Sequence, residues 1–309
     1  MIHYFTTRLG SALITLFFLA VITFFTLRLA PGGPFDTERA TTPEIQASIN
    51  QQYGLDRPLI VQFADWFAGA AQGDLKTSFQ YLGRPVSEII LGALPNSLVL
   101  GGWALLFAVA LGLPLGALAA WKQNTVWDFS AMFAAVAGVC LPSYLVASVL
   151  ILVFSMWLHW FPPALWEGPQ SYVLPVITLG LRPMAILARL IRASMIEVLR
   201  SDYIRTARAK GLSQGSVVMK HALKNSLIPV VTLLGPIMAN LVTGSFLVEY
   251  VFEIPGMGKH FITSVINRDY PLALGVTLIY GVILISCNFF VDVAYGYIDP
   301  RIRVLEEGA

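Results

Sequence analysis

Charge is what this 309-residue chain has least of. Only 12% of its residues are charged, while 56% are hydrophobic. Soluble domains carry about twice that charge. With a mean hydropathy of +0.70, the shortage excludes a soluble globular enzyme, a disordered chain and a typical nucleic-acid binder. Cysteine is nearly missing as well: Cys140 and Cys287 are the two present, each inside an apolar run. Neither a disulfide framework nor a CxxC redox or metal site can be built from them. His3, His159, His221 and His260 are scattered without metal-ligand spacing, and neither HExxH nor GxSxG occurs. No phosphate loop occurs either. Gly256-Met257-Gly258-Lys259 lacks the required spacing and the following Ser or Thr. The chain is therefore not expected to be an enzyme, to bind a metal or cofactor, or to hydrolyse ATP by itself.

What is present is a series of long uncharged stretches. Charges are absent between Arg8 and Arg28, Glu88 and Lys122, Asp128 and Glu167, Lys224 and Glu249, and Asp269 and Asp292. A further apolar stretch near 172–199 carries Arg182, Arg189 and Arg192. About 20 apolar residues cross the hydrocarbon core of a bilayer. The pattern predicts an all-α integral membrane protein with six transmembrane helices near 9–30, 97–121, 130–158, 172–199, 226–247 and 272–297. The first stretch is too long for the hydrophobic region of a signal peptide, and Pro31 suits cleavage poorly, so it reads as a retained helix. With the N-terminus inside, the inner segments hold ten Lys and Arg residues, from Arg8 to Arg301 and Arg303, against Lys259 and Arg268 in the short outer loops. That asymmetry places both termini in the cytoplasm.

Two loops carry structure of their own. In the outer one, Thr42-Pro43-Glu44 reads as a helix start and Gly54 as a stop. A second helix begins near Pro58, with Leu59, Ile60, Phe63, Trp66, Phe67 and Ala70 as its apolar stripe. The inner loop, 200–225, holds six of the twenty basic residues. Ile204, Ala207 and Gly211 fall on one side of a short helix, where small residues would let another backbone approach. Arg205 and Arg208 lie on a different side, free to meet an acidic partner. Gly211 can end the helix and Ser213 can cap the next.

Ion-coupled transporters need intramembrane carboxylates. Here Asp292 and Glu249 lie near helix ends, and Arg182 is the clear mid-membrane charge. An autonomous secondary transporter or a pore with a ring of charges is therefore a poor fit. A membrane domain without an energy source, carrying a basic cytoplasmic loop, is expected to be a subunit driven by a partner.

The inner loop also carries a resemblance. Tyr203-Ile204-Arg205-Thr206-Ala207-Arg208-Ala209-Lys210-Gly211-Leu212, then His221-Ala222-Leu223-Lys224-Asn225 and Pro229, resembles the EAA loop of ABC importer permeases in the form found in the peptide branch. Ala207 and Gly211 match the motif, while Arg205, Thr206 and Lys224 replace its glutamate, first alanine and proline. Further similar strings are Arg28–Pro34, Tyr53–Leu59, Gly73-Asp74-Leu75, Thr243-Gly244-Ser245 with Glu249, Pro255–Gly258, Arg268–Pro271 and Asp299-Pro300-Arg301. The likeness is to the B-type permease of bacterial oligopeptide importers. It implies a type I ABC importer fold with three segments: 1–93, the first helix and a structured outer loop; 94–298, a five-helix core with the coupling loop 200–225; and 299–309, a cytoplasmic tail. It implies a C-type second permease, two cytoplasmic ATPases that carry ATP and Mg, an extracytoplasmic peptide-binding protein and membrane lipid as partners, in the inner membrane, with no nucleic acid. Ile204, Arg205, Thr206, Ala207, Arg208, Lys210, Gly211 and Leu212 would form the coupling helix. Arg182, Asn240, Thr243, Gly244 and Ser245 are candidates for the pathway. Import of a dipeptide, a nickel chelate or glutathione through the same branch is the alternative.

Overall fold

The structure is a computed structural model that describes residues 2–29, 32–35, 51, 53–243 and 245–298. The expected helix start at Thr42-Pro43-Glu44, Gly244, the Asp299-Pro300-Arg301 string and Arg303 lie outside those residues. The described chain is helical, with one isolated antiparallel bridge between Thr77 and Pro85. Among the described residues, five helices are long and apolar enough to cross a membrane, and a bent pair makes up to six. The helices group into two compact units, 1–97 with 255–285, and 98–254 with 286–309. The segment 255–285 thus groups with the N-terminal part of the chain.

In the first unit, α1 (Ile2–Leu29) packs against α2 (Leu59–Ala71). Phe17 and Phe24 meet Phe63 edge-on at 6.2 and 5.3 Å, and Trp66 joins Ala20, Phe24 and Leu274 in one buried cluster. The expected apolar stripe of α2 is therefore used from Phe63 onward, while Leu59 and Ile60 stay exposed. The start of α3 (Val86–Trp121), α10 (Met257–Ile266) and the first turns of α11 (Tyr270–Ile298) bury Val86, Ile89, Ile90, Met257, Leu272 and Val276 together. Helix α3 has 36 residues, so it is about 54 Å long. It begins eleven residues before the expected 97, and that extra length exceeds what a bilayer core of about 30 Å needs.

The second unit is organised around α6 (Val173–Leu199), buried along one face from Leu174 to Met195. Helix α3 lies close against it. A Cβ at Gly116 would meet Ile191 Cγ2 at 2.0 Å and the Ala188 carbonyl oxygen at 2.2 Å, so this approach requires glycine. Small residues at such crossings are how helices associate where lipid is as apolar as the side chains.

The third expected span, 130–158, is not one straight helix. It is α4 (Val126–Cys140) and α5 (Ser143–Leu150, prolonged by a π-helical stretch Ile151–Trp157), bent by 108° at Leu141-Pro142. Proline has no N–H to continue the ladder and pushes the preceding residue out of helical conformation; Leu141 is extended, at φ −78° and ψ 127°. The register along α6 supports a broken span that still crosses. Asp128 at the start of α4 meets Arg192, Gly138 lies beside Leu181 and Ala185, and Ala147 of α5 shares a core cluster with Leu174. Arg192 and Leu174 are 18 residues apart on a helix, about 27 Å. The bent pair thus spans nearly the thickness of a membrane. Helices α8 (Ile228–Thr243) and α9 (Phe246–Val251) complete this unit.

Candidate functional site: a basic helix held by its apolar face

Helix α7 (Asp202–Ala209) is only eight residues long. A peptide of that length does not hold a helix in water, so tertiary packing must supply the stability. It comes from Ile204 and Ala207, buried with Ala120, Met195, Val217, Val218 and Ala222. Burying one side chain of Ile204's size contributes about 2 kcal/mol. Asn225 donates from Nδ2 to the Tyr203 hydroxyl at 2.7 Å and ties the helix to the far end of its loop.

Both expected ends of the segment are found. The Leu212 amide donates to the Ala207 carbonyl and the Gly211 amide to that of Arg208, with Gly211 at φ +79°. This pair of bonds is a Schellman closure, which places its C′ residue in the left-handed region. Ser213 then accepts from the Ser216 amide at 3.4 Å and starts the next turn.

The faces are divided differently from expectation. Ile204 and Ala207 are covered by this chain's own helices, so the small side of α7 is an anchor and receives no second protein. Gly211 is off that side: it is exposed, and a Cβ there would meet nothing within 4 Å. The glycine is required by its backbone angle and not by close approach. The open side presents Arg205, Thr206, Arg208, Lys210 and Leu212, all exposed. Arg205 lies 3.4 Å from Asp202 in a solvent-facing pair of the kind that contributes little. Arg208 and Lys210 have no acidic partner among the described residues.

One contact below this segment was not legible in the sequence. Arg192 donates from Nε and Nη2 to the two oxygens of Asp128 at 2.6 and 2.8 Å, and the Asn124 amide donates to the same carboxylate. Asp128 is 2% exposed and Arg192 27%. The pair clamps α4 to α6 seven residues before α6 ends. The two residues are 64 positions apart. The signal available was that each interrupts an apolar run and carries the opposite charge.

The pathway candidates separate. Arg182 and Asn240 are exposed. Arg182, Arg189 and Glu197 recur at i, i+7 and i+15 along the uncovered face of α6, with no ion-pair partner among the described residues. Thr243 is half-buried and returns its hydroxyl to the Ala239 carbonyl at 2.8 Å. Ser245 is fully buried, and its hydroxyl lies 2.5 Å from a carboxylate oxygen of buried Glu249, one turn further along.

The first unit contains a second polar construction. Asp269 is fully buried and accepts from the Ser78 hydroxyl and from the amides of Phe79, Gln80 and Leu272. Arg268 donates to the Gly33 carbonyl and Tyr270 to that of Gly32, while the Arg28 guanidinium lies 4.6 Å from the centre of the Tyr270 ring. Strings that were only similarities in the sequence, Arg28–Pro34 and Arg268–Pro271, are here parts of one network.

Residues 112–304 match the family model described as "Binding-protein-dependent transport system inner membrane component", and residues 1–98 match its N-terminal counterpart. The chain is 44% identical over 305 residues to the oligopeptide transport system permease protein OppB of Haemophilus influenzae, covering 98% of this chain and 100% of that one. It is 42% identical over 308 residues to the dipeptide transport system permease protein DppB of Bacillus subtilis, covering 100% of both. Among solved structures it resembles the MetNI methionine ABC transporter in inward-facing conformations, with a TM-score of 0.56 at 16% identity over 70% of this chain and 97% of that one. An amino acid ABC transporter crystallised with histidines aligns with a TM-score of 0.54 at 18% identity, over 68% and 94%. Those two likenesses support the fold alone.

Proposed function

The chain belongs to the family of inner-membrane components of binding-protein-dependent transport systems, and from that premise we propose that it forms half of the path by which short peptides enter the cell. It is a multi-pass permease subunit of an ATP-driven importer in the bacterial inner membrane. Its relatives are permeases and not ATPases, so the hydrolysis that drives it belongs to partner subunits. In our reading those partners are two cytoplasmic ATPases carrying ATP and Mg, a C-type permease and an extracytoplasmic peptide-binding protein, with both termini of this chain in the cytoplasm.

The observation that carries the reading is α7: a short helix fixed to the membrane domain by Ile204 and Ala207, with Arg208 and Lys210 exposed and without an acidic partner among the described residues. A helix so built moves with the membrane helices and offers its charges to another protein. When the ATPases close, the push on α7 passes through Ile204 and Met195 into α6, and the Asp128–Arg192 pair carries it on to α4. Alternating access then follows from rearrangement of packed helices around the path. The face of α6 that shows Arg182 and Arg189 is the surface for that path, or for the second permease beside it, because an arginine inside a membrane needs water or protein around it. Cargo choice is assigned to the binding protein, and relatives named for oligopeptides and for dipeptides fit the same membrane domain.

The test is mass spectrometry of what accompanies the tagged chain out of its native membrane in mild detergent. Two ATPases and a second permease are expected, with loss of the ATPases when Arg208 and Lys210 are both reversed in charge. A lone chain or a homodimer, from membranes whose other complexes survive, would overturn the subunit reading.

A further inference from the structure

A cavity of about 660 Å³ lies in the first unit where α1 ends, between the last turn of α1, helix α2, residues 74–79 and the start of α11. Its lining includes Arg28, Gln62, Trp66 and Tyr270. Three buried polar atoms of those lining residues have no hydrogen-bond partner among the described residues: Arg28 Nε, Gln62 Oε1 and Trp66 Nε1. Gln62 and Trp66 are 9% and 6% exposed. Gln62 is oriented, because its Nε2 donates to the carbonyls of Leu55 and Arg57 at 3.1 and 2.7 Å, which leaves Oε1 as an unused acceptor. Buried polar groups are almost always satisfied, so three exceptions around one cavity ask for a ligand.

The three atoms define its chemistry. Arg28 and Trp66 are donors and call for an oxyanion; Gln62 Oε1 is an acceptor and calls for an O–H or N–H beside that oxyanion. The charged lining is Arg28, Arg57 and Lys76 against Asp65 and Asp74. Arg57 pairs with Asp65 and Lys76 with Asp74, whereas Arg28 has no acid among the described residues. The place also matters. Arg28 closes the uncharged stretch of α1, at the depth where hydrocarbon gives way to water. Exposed Ile22 and Leu29 on α1, and Leu59, Ile60 and Val61 on α2, offer an apolar surface close by. A head that is anionic and donates a hydrogen bond, joined to an apolar tail, is a glycerophospholipid.

We propose that this cavity is a specific site for one phospholipid headgroup. The phosphate diester accepts from Arg28 and Trp66, and a glycerol hydroxyl or ethanolamine ammonium donates to Gln62. Phosphatidylcholine, which has the phosphate but no such donor, is the poorer ligand. The site is distinct from the coupling helix and does not depend on the transported cargo.

Native mass spectrometry of the intact chain, purified with its accompanying subunits and stripped of lipid, tests this. The stripped protein is titrated with phosphatidylglycerol, phosphatidylethanolamine or phosphatidylcholine, and in separate arms with inorganic phosphate or a short peptide as competitor. Expected is one tightly held phosphatidylglycerol or phosphatidylethanolamine, retained about fivefold better than phosphatidylcholine, the worth of one neutral hydrogen bond. Trp66→Phe keeps the ring packing and removes the N–H, so retention should fall about fivefold; Arg28→Met should cost about tenfold, as a charge-assisted bond is lost. Gln62→Met should erase the preference over phosphatidylcholine. Equal retention of all three lipids by the wild type, or unchanged retention in both Trp66→Phe and Arg28→Met, would overturn the site. Displacement of the lipid by inorganic phosphate or by the peptide at equal concentration would overturn the lipid as its occupant.

Discussion

Two parts of this molecule concentrate polar side chains, and they treat them in opposite ways. At Asp269 the charge is turned inward: the carboxylate is fully buried and accepts from the Ser78 hydroxyl and the amides of Phe79, Gln80 and Leu272. Around α7 only Ile204 and Ala207 are turned inward, and Arg205, Arg208 and Lys210 stand in the open. The first arrangement is finished without a partner. The second is stable as a shape but incomplete in charge. In our proposal the difference separates residues that hold the fold from residues held out for another protein. It also explains why similar motif strings occur at both places.

The contrast can be broken at the inward cluster first. Asp269→Ala should remove about 3–5 kcal/mol, because buried donors lose a charged acceptor. The expected result is a large drop in the amount of folded protein in membranes, measured by detergent thermal melts and membrane yield. A melt within about a degree of wild type would show that the cluster is not structural.

The clamp beneath the coupling helix comes next. Asp128→Ala leaves Arg192 without its acid and should cost about 3 kcal/mol, less where water reaches the guanidinium. Restoring bulk without charge on both sides, Asp128→Leu with Arg192→Met, should recover stability but not transport if the clamp transmits motion. Recovery of both would make it packing alone.

Gly211 gives a smaller effect of a different kind. A Cβ at Gly211 meets nothing within 4 Å, so the expected cost of Gly211→Trp is that of the left-handed angle, about 1–2 kcal/mol. The chain should remain inserted while uptake falls, because the Schellman closure that fixes the end of α7 is strained. Gly211→Asn, which tolerates that angle, should keep most of the uptake. Equal loss from both variants would point to contact with a partner instead.

The outward cluster should respond least in stability. Arg208→Glu with Lys210→Glu should shift melting by less than about 0.5 kcal/mol, as exposed substitutions do. Uptake and recovery of the ATPases should nevertheless collapse. Unimpaired uptake would remove α7 from coupling.

Much of this was legible in the sequence. Charge gaps located the spans, since a bilayer core leaves few alternatives to a long apolar helix. Gly211 announced the end of α7 and Ser213 the start of the next turn, because capping is local chemistry. What failed was whatever depended on distant neighbours. The 3.6-residue pattern of α7 shows that Ile204 and Ala207 share a side, but not that Met195 and Val217 already occupy it. Leu141-Pro142 marks a break, yet the 108° angle is set by packing along α6.

The sequence by itself determined the solvent, the helical class and the number of apolar stretches. Each follows from composition and from interactions within a few residues. The tertiary structure decided which polar groups are spent inside and which are left open. Asp128 finds Arg192 across 64 positions and Asp269 finds Ser78 across 191, and only the folded chain brings such partners to hydrogen-bonding distance.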